Sequence, residues 1–424
     1  MDSEDESDTA LGDCVALQRG TTYQGTLLGQ PGPVLLGLAS IQRDGGFRDD
    51  SLRTYGGQSA AKLLLGPGDL YVSLKDVTQS GDLLGAVSRV PPTIAAGRLT
   101  QDTVRLDLAD DAPPRAYIYW LLRTPQYREY CRARAIGTTN LSLSRDDFLS
   151  FRVPPPTSVR LRLVELLEAI EAKIELNRHM YRTLESLARA IFRSWFVDFD
   201  HVRRKMDSGE VGLPPDLAAL FPGDLVASVA GPIPRGWHVK PLDEVADFLN
   251  GLALQKYPPS GPDDLPVIKG AELTRGVTAG TSRANRMVPL DYMVRDGDLL
   301  FSWSGSLHCV IWSGGEGALN QHLFKVTSDD YPKWFVYQWL HEHLEGFRQI
   351  AADKATTMGH IKRGHLSEAM TVIPTSRVLS AAGAVLSPIH ARQLATEIES
   401  HRLVETRDAL LPRLAGGHEL ARAD

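Results

Sequence analysis

The chain carries the same plan twice. Pro113, Trp120 and Leu121 recur as Pro332, Trp339 and Leu340, an offset of 219 residues. At that same offset Ile170, Leu184 and Ile191 recur as Ile389, Leu403 and Leu410. Upstream, Gly68-Asp-Leu-Tyr-Val-Ser73 matches Gly297-Asp-Leu-Leu-Phe-Ser302 at an offset of 229, so a ten-residue insertion or deletion separates the blocks. A period this long means a duplicated domain, because solenoid repeats run ~20–50 residues. Each copy reads as a globular segment followed by a long helix. Two copies of one reader on helices suit a protein that grips two separated sites at once.

A chain of 424 residues has room for two or three domains with their own cores. Residues 1–10 hold five acids and no base and read as a disordered acidic tail. Without them the net charge of −6 falls to 47 acids against 46 bases, which permits local basic surfaces but proves nothing. Residues 11–157 and 237–376 read as two α/β (α+β) domains, with short β-rich runs such as 69–73, 103–108, 309–312 and 323–327 bounded by Gly, Pro and Asp. Helices are expected after Pro113-Pro114 and from about Pro332, since proline is tolerated in a first turn. A helical spacer spans 158–200, a Pro/Gly-rich linker 201–236, a second helical spacer 377–414 and a short tail 415–424. Cys14, Cys131 and Cys309 are odd in number and far apart, so they predict neither a disulfide framework nor a zinc site. No apolar run reaches the ~18 residues of a membrane helix and no signal peptide opens the chain, so a cytoplasmic protein is expected.

The first long helix, about 158–196, is the clearest element. Leu163, Leu167, Ile170, Ile174, Asn177, Tyr181, Leu184, Ala188 and Ile191 step by four and three, the seam of a coiled coil, with Asn177 as its polar register residue. The second helix is expected to start with Ser387 as cap and Pro388 in its first turn and to end near Pro412 and Gly416-Gly417. Its seam, through Gln393, Thr396, Ser400 and Arg407, is far more polar and needs the first helix as partner.

Lys173-Ile-Glu-Leu-Asn-Arg-His-Met180, followed by Thr183-Leu-Glu-Ser-Leu-Ala-Arg-Ala-Ile-Phe-Arg-Ser-Trp-Phe-Val-Asp-Phe199, resembles the central helical region of type I restriction–modification specificity subunits. Gly231-Pro-Ile-Pro-Arg-Gly-Trp237 is similar to that family's lead into its second target-recognition domain, and Thr406-Arg-Asp-Ala-Leu-Leu-Pro-Arg-Leu414 to its C-terminal helix end. The resemblance covers the chain beyond its acidic tail, although the first domain lacks the Pro-x-Gly-Trp lead. It implies two target-recognition domains joined by helices in an antiparallel coiled coil, a pseudo-twofold repeat that reads a bipartite site in double-stranded DNA. It further implies two methyltransferase subunits, which carry S-adenosylmethionine, and in some complexes restriction subunits. This chain would hold no cofactor of its own.

DNA recognition requires cations for phosphates and polar side chains for base edges. The resemblance places the Gly/Thr-rich loops near DNA, with Thr138, Thr139 and Asn140 in the first copy and Thr356, Thr357, His360 and Lys362 in the second. Lys75 and Ser304 follow the Gly-Asp strands, where binding loops often lie, and Gln321 could pair with adenine. Against these stand plain readings as turn residues and solvated polar groups. The matched Trp120 and Trp339 read as core, whereas Phe192, Trp195 and Phe196 form a candidate docking surface for the partner subunits.

No Asn/Asp-Pro-Pro-Tyr/Phe methyltransferase motif and no Walker loop occurs, and His341-Glu-His-Leu-Glu345 lacks the second histidine of a zinc-protease helix. His308, His322, His360 and His365 show no metal-ligand spacing. A non-catalytic targeting subunit is expected. The competing class is a coiled-coil adaptor whose repeated domains bind protein. In the targeting reading the helix is a ruler: ~39 residues at ~1.5 Å each give ~58 Å, or roughly 17 base pairs. Inserting one heptad beside Asn177 should lengthen the preferred spacer and leave both half-sites unchanged; methylation mapping that finds the old spacer refutes the ruler.

Overall fold

The computed structural model describes residues 8–209, 212–353 and 359–416. They fall into two compact units, 1–173 with 403–424 and 174–402, and each long helix contributes a part to both. The acidic residues 1–7 and the end of the C-terminal tail, 417–424, lie outside the described residues.

In the first unit a four-stranded antiparallel sheet runs in the order Val15–Arg19, Thr103–Leu108, Leu70–Ser73, Val87–Arg89. Beside it, Val34–Leu36 lies parallel to Gly97–Leu99, and Leu64–Leu65 closes that sheet antiparallel. The second unit repeats both sheets. Asp247–Asn250, Leu323–Thr327, Leu299–Ser302 and Cys309–Ile311 form the antiparallel one. In the other, Leu265–Ile268 lies parallel to Gly317–Leu319, flanked by Arg283–Ala284 and Met293–Val294. Helices follow as expected, Arg115–Leu121 and Pro125–Ala133 in the first unit and Lys333–Asp353 in the second.

Each domain is tied shut by a short antiparallel pair. His238–Pro241 pairs with Met370–Ile373, and Thr9–Ala10 pairs with Arg152–Val153. The first domain therefore begins at Thr9, two residues before the expected boundary, and this two-residue strand does the work of the missing Pro-x-Gly-Trp lead.

The first long helix runs Ser158–Phe192 and continues as a π turn over Arg193–Val197. Every seam residue is buried or half-buried, Leu167, Asn177 and Ala188 completely. Leu163 and Leu167 pack with Leu411 and Leu414 in the first unit's core. There Glu168 accepts the Trp120 indole N–H at 2.6 Å and Arg89 at 2.9 Å, and Arg407 meets Glu171 at 3.1 Å. In the second unit Asn177 donates its amide to Glu399 at 2.9 Å.

Two expectations are corrected. The second long helix spans Ser376–Ala415, so Ser387 is not its cap and Pro388 stands inside it, while its end falls just before Gly416, near where it was expected. Interior proline costs about 3 kcal/mol in an isolated helix. Here Val378, Ala382 and Leu386, at four-residue spacing and fully buried, carry the helix upstream through packing. The linker 201–236 is also structured, with helices at Asp200–Asp207 and Pro215–Ala218 and the strand pair Leu225–Val226 with Ile233–Pro234. Phe221 holds it down, buried between Trp195 and Trp237 at ring distances of 5.2 and 6.4 Å. Residues 210 and 211 lie outside the described residues.

The three cysteines are free and buried, and burial raises each thiol above its ordinary range. Burial also pushes His341 and His390 down to about 4. Both are neutral in the folded second unit, His390 beside the Gln338 amide at 3.2 Å and His341 beside the Cys309 carbonyl at 3.1 Å. The unfolded chain binds the extra protons near pH 6.5, so this stability is complete above about 6.5 and is lost as pH falls towards about 4. Glu397, raised by burial, titrates in the opposite sense. The discriminating measurement is the difference between wild type and His390→Gln: the variant's thermal midpoint should fall less steeply across that window.

Candidate nucleic-acid interface

The strand ladders align the two domains residue by residue. Ser73 and Ser302 end equivalent strands, both buried, and each turns the chain through its own hydroxyl. Ser73 donates to the Lys75 carbonyl at 2.5 Å and Ser302 to the Ser306 carbonyl at 2.9 Å. Gly68 and Gly297 provide the preceding tight turn with φ of 84° and 88°. Beyond these serines, Leu74 corresponds to Trp303 and Lys75 to Ser304.

Two candidate loops that are distant in sequence meet in each domain. Lys75 pairs with Ser142 and Asp76 with Leu141, while in the second domain Ser304 bridges to His360. In the first domain Ile136 and Ser142 close the base of the Gly/Thr-rich loop. Gly137, at φ 110°, turns it, and Thr138, Thr139 and Asn140 are exposed at its tip. In the second domain Thr356 and Thr357 lie outside the described residues, and Lys362 is exposed with no ion pair among those described.

A third turn completes the platform. Thr103 donates to the Thr100 carbonyl at 3.3 Å across Gln101-Asp102, and Leu323 to the Asn320 carbonyl at 2.9 Å across Gln321-His322. Gly20 and Gly251 hold these turns at equivalent places. A side chain there would lie 1.9 Å from the Thr100 oxygen or 2.2 Å from the Asn320 oxygen, so only glycine fits. The loop after the Gly-Asp strand leans on this turn in both domains: Lys75 reaches Asp102 at 3.2 Å, and Ser304 reaches His322 at 3.1 Å.

The frame is common and the chemistry on it differs. In the first domain Leu17, Leu74, Val104 and Leu143 floor a cleft of about 280 Å³ rimmed by Arg19, Lys75, Gln101, Asp102, Ser142 and Arg145. Arg19 and Arg145 are exposed with no acidic partner among the described residues. In the second domain aromatic rings occupy the corresponding floor: Phe248, Trp303 and Phe324, with Trp303 6.2 Å from Phe324 and 5.6 Å from His322. The Trp303 indole N–H donates to Asn250, the counterpart of Arg19, at 2.9 Å. Sequence reading named Lys75, Ser304, Gln321, His360 and Lys362 but missed Arg19, Gln101, Asp102 and Arg145. Extending the repeat across 100–103 at an offset of 220 would have paired Gln101 with Gln321.

The expected docking surface is corrected. Phe192, Trp195 and Phe196 are 1%, 5% and 0% exposed and lie in the second domain's core. Phe192 meets Trp339 at 5.3 Å and Phe196 meets Phe335 at 5.7 Å. The aromatic end of the helix completes a domain, and these three side chains are spent on its core. Among the described residues there is no cluster of metal-ligating side chains, and no helix is long and apolar enough to cross a membrane.

Two α/β domains of one design, each packed on long helices and each with the same glycine-pinned turn, define a protein built on a duplicated domain. The chain resembles known proteins in sequence and in fold. No family model matches the chain. Over 353 residues it is 24% identical to the HindI type I restriction enzyme specificity subunit of Haemophilus influenzae, covering 71% of this chain and 76% of that one. Over 335 residues it is 22% identical to the MjaIX specificity subunit of Methanocaldococcus jannaschii, covering 75% and 72%. Its fold matches the crystal structure of a type I restriction–modification S subunit from M. genitalium with a TM-score of 0.57 over 99% of both chains, at 12% identity. The chain is thus similar in sequence to two type I restriction enzyme specificity subunits and shares the fold of a solved S subunit.

The glycine contacts can be checked directly. Gly20→Ala and Gly251→Ala should each lower stability to chemical denaturation by about 1–3 kcal/mol, because a methyl group is forced onto a carbonyl. Gly261→Ala, with open space around the added atom, serves as the neutral control. Unchanged unfolding midpoints for the first two would contradict the close approach.

Proposed function

We propose that this chain is the DNA-specificity subunit of a type I restriction–modification complex, with each domain reading one half of a bipartite site in double-stranded DNA. One observation carries the reading: a shared frame, the turns after Ser73 and Ser302 and those holding Gln101 and Gln321, displays largely different polar groups in the two domains. A fixed frame with exchanged side chains suits two readers of two different sequences. The alternative, an adaptor whose repeated domains bind protein partners, is separated from this reading by the salt dependence of binding. The exposed Thr138, Thr139 and Asn140 tip, Arg19, Arg145 and Lys75 would meet DNA from the first domain, and Gln321, His322, His360 and Lys362 from the second. Arginine and lysine position the protein on phosphates, and the amides, hydroxyls and imidazoles address base edges.

The partners in this reading are two methyltransferase subunits, which bind S-adenosylmethionine and transfer the methyl group, and restriction subunits where cleavage follows. With the docking aromatics buried, those partners would meet the exposed faces of the long helices. The chain itself performs no chemistry in this scheme.

The test is DNA binding by the assembled complex at several salt concentrations, with methylation mapping to define the site. Phosphate contacts make log K fall linearly with log salt. Arg19→Ala with Arg145→Ala should reduce that slope by about one for each arginine removed while leaving the recognised sequence unchanged. Binding that ignores salt, or host DNA that loses no bipartite methylated motif when the chain is deleted, would overturn the proposal in favour of protein docking.

A further inference from the structure

We infer that Gln101 and Gln321 read the same base pair, an A·T, at corresponding steps of two half-sites that otherwise differ. The inference rests on the proposed role in DNA specificity and adds to it a shared contact. Each glutamine is the second residue of a four-residue turn, closed by the Thr103 and Leu323 amides and pinned by Gly20 and Gly251. The two side chains therefore start from the same place on the same frame.

Nothing in the fold demands glutamine there. The second position of such a turn accepts most residues. Around it the platform has changed almost completely between the copies: Lys75 against Ser304, Leu74 against Trp303, Arg19 against Asn250, Asp102 against His322. Beside the structural Gly20/Gly251 and Ser73/Ser302 pairs, the glutamine is the displayed residue that is kept. Neither amide is spent on the fold. Gln101 makes no hydrogen bond among the described residues and lies on the rim of the first domain's cleft. Gln321 has only a long 3.4 Å approach to the His322 ring.

The chemistry of the kept group selects its target. A carboxamide offers a donor and an acceptor side by side. In the major groove adenine presents N7 as acceptor beside its N6 amino donor, which matches that pair in bidentate fashion; guanine presents two acceptors. The neighbours that changed act on flanking positions. The first half-site meets a cation beside a carboxylate, the second a hydroxyl beside an imidazole.

The experiment maps methylated sites on a randomised plasmid library with the full complex. It compares wild type with Gln101→Ala, Gln321→Ala, Gln101→Glu and Gln321→Glu. Each alanine variant should relax one A·T position in one half-site by roughly ten-fold, with the other half-site unchanged. Each glutamate variant, which can only accept, should turn that same position towards a C·G pair, since cytosine's amino group donates. Both side chains sit on surface turns, and the glutamate switch separates a lost contact from a damaged domain. A wild-type motif that persists unaltered in all four variants, or whose affected positions are not A·T, overturns this inference alone. A wild-type complex with no bipartite motif overturns the specificity reading itself.

Discussion

Both domain cores close around a helix end, and the matched tryptophans mark where they close. Trp120 is completely buried against the first unit's part of the long helices and donates its indole N–H to Glu168, which also holds Arg89. Trp339 is buried against Phe192 and Phe335, at ring distances of 5.3 and 6.3 Å, and its indole N–H finds no acceptor among the described residues. One closure is fastened by a charge-assisted hydrogen bond, the other by edge-to-face aromatic packing, and the latter adds about 0.5–1.5 kcal/mol per pair beyond the area buried. Strand order, turn position and the recognition platform all depend on these closures. The sheets alone present only one packed face each and need the helix to complete a core.

The helix pair inside the second unit is held in a more costly way. Asn177 is fully buried and donates to Glu399, yet its carbonyl oxygen has no partner among the described residues; the Thr396 hydroxyl is likewise buried and unsatisfied. Each such atom costs about 1–3 kcal/mol. Apolar residues there would give a stronger seam that could slide by a turn. A polar layer whose Asn177–Glu399 hydrogen bond forms in one alignment trades stability for a single register.

The repeat, the first helix, most strands and the platform loops were legible in the sequence because each rests on a local pattern. Period-seven spacing, Gly-Asp turns and β-rich runs say what a segment does without reference to the rest of the chain. The corrected features depend on distant contacts. Pro388 reads as a helix start until Val378, Ala382 and Leu386 are seen packed in the core. Residues 201–236 read as a linker until Phe221 is found between two tryptophans. Phe192, Trp195 and Phe196 looked like a docking face because an apolar helix end has the same composition whether it meets a partner or its own domain. The joining of Lys75 to Ser142 and of Ser304 to His360 has no local signature either, since the paired residues lie more than fifty positions apart.

The glycine-pinned turn has a consequence for how such a protein can change. Gly20 and Gly251 bear the whole steric burden of placing the reader residues, while the residues displayed on the turn face solvent or each other. Substitution of the displayed residues is therefore nearly uncoupled from folding, and surface changes of this kind usually stay within ±0.5 kcal/mol. A lineage carrying this frame can exchange the displayed groups, and under the proposed function its DNA targets, along a path on which stability hardly varies. A new target then requires a handful of exchanged side chains and no new domain.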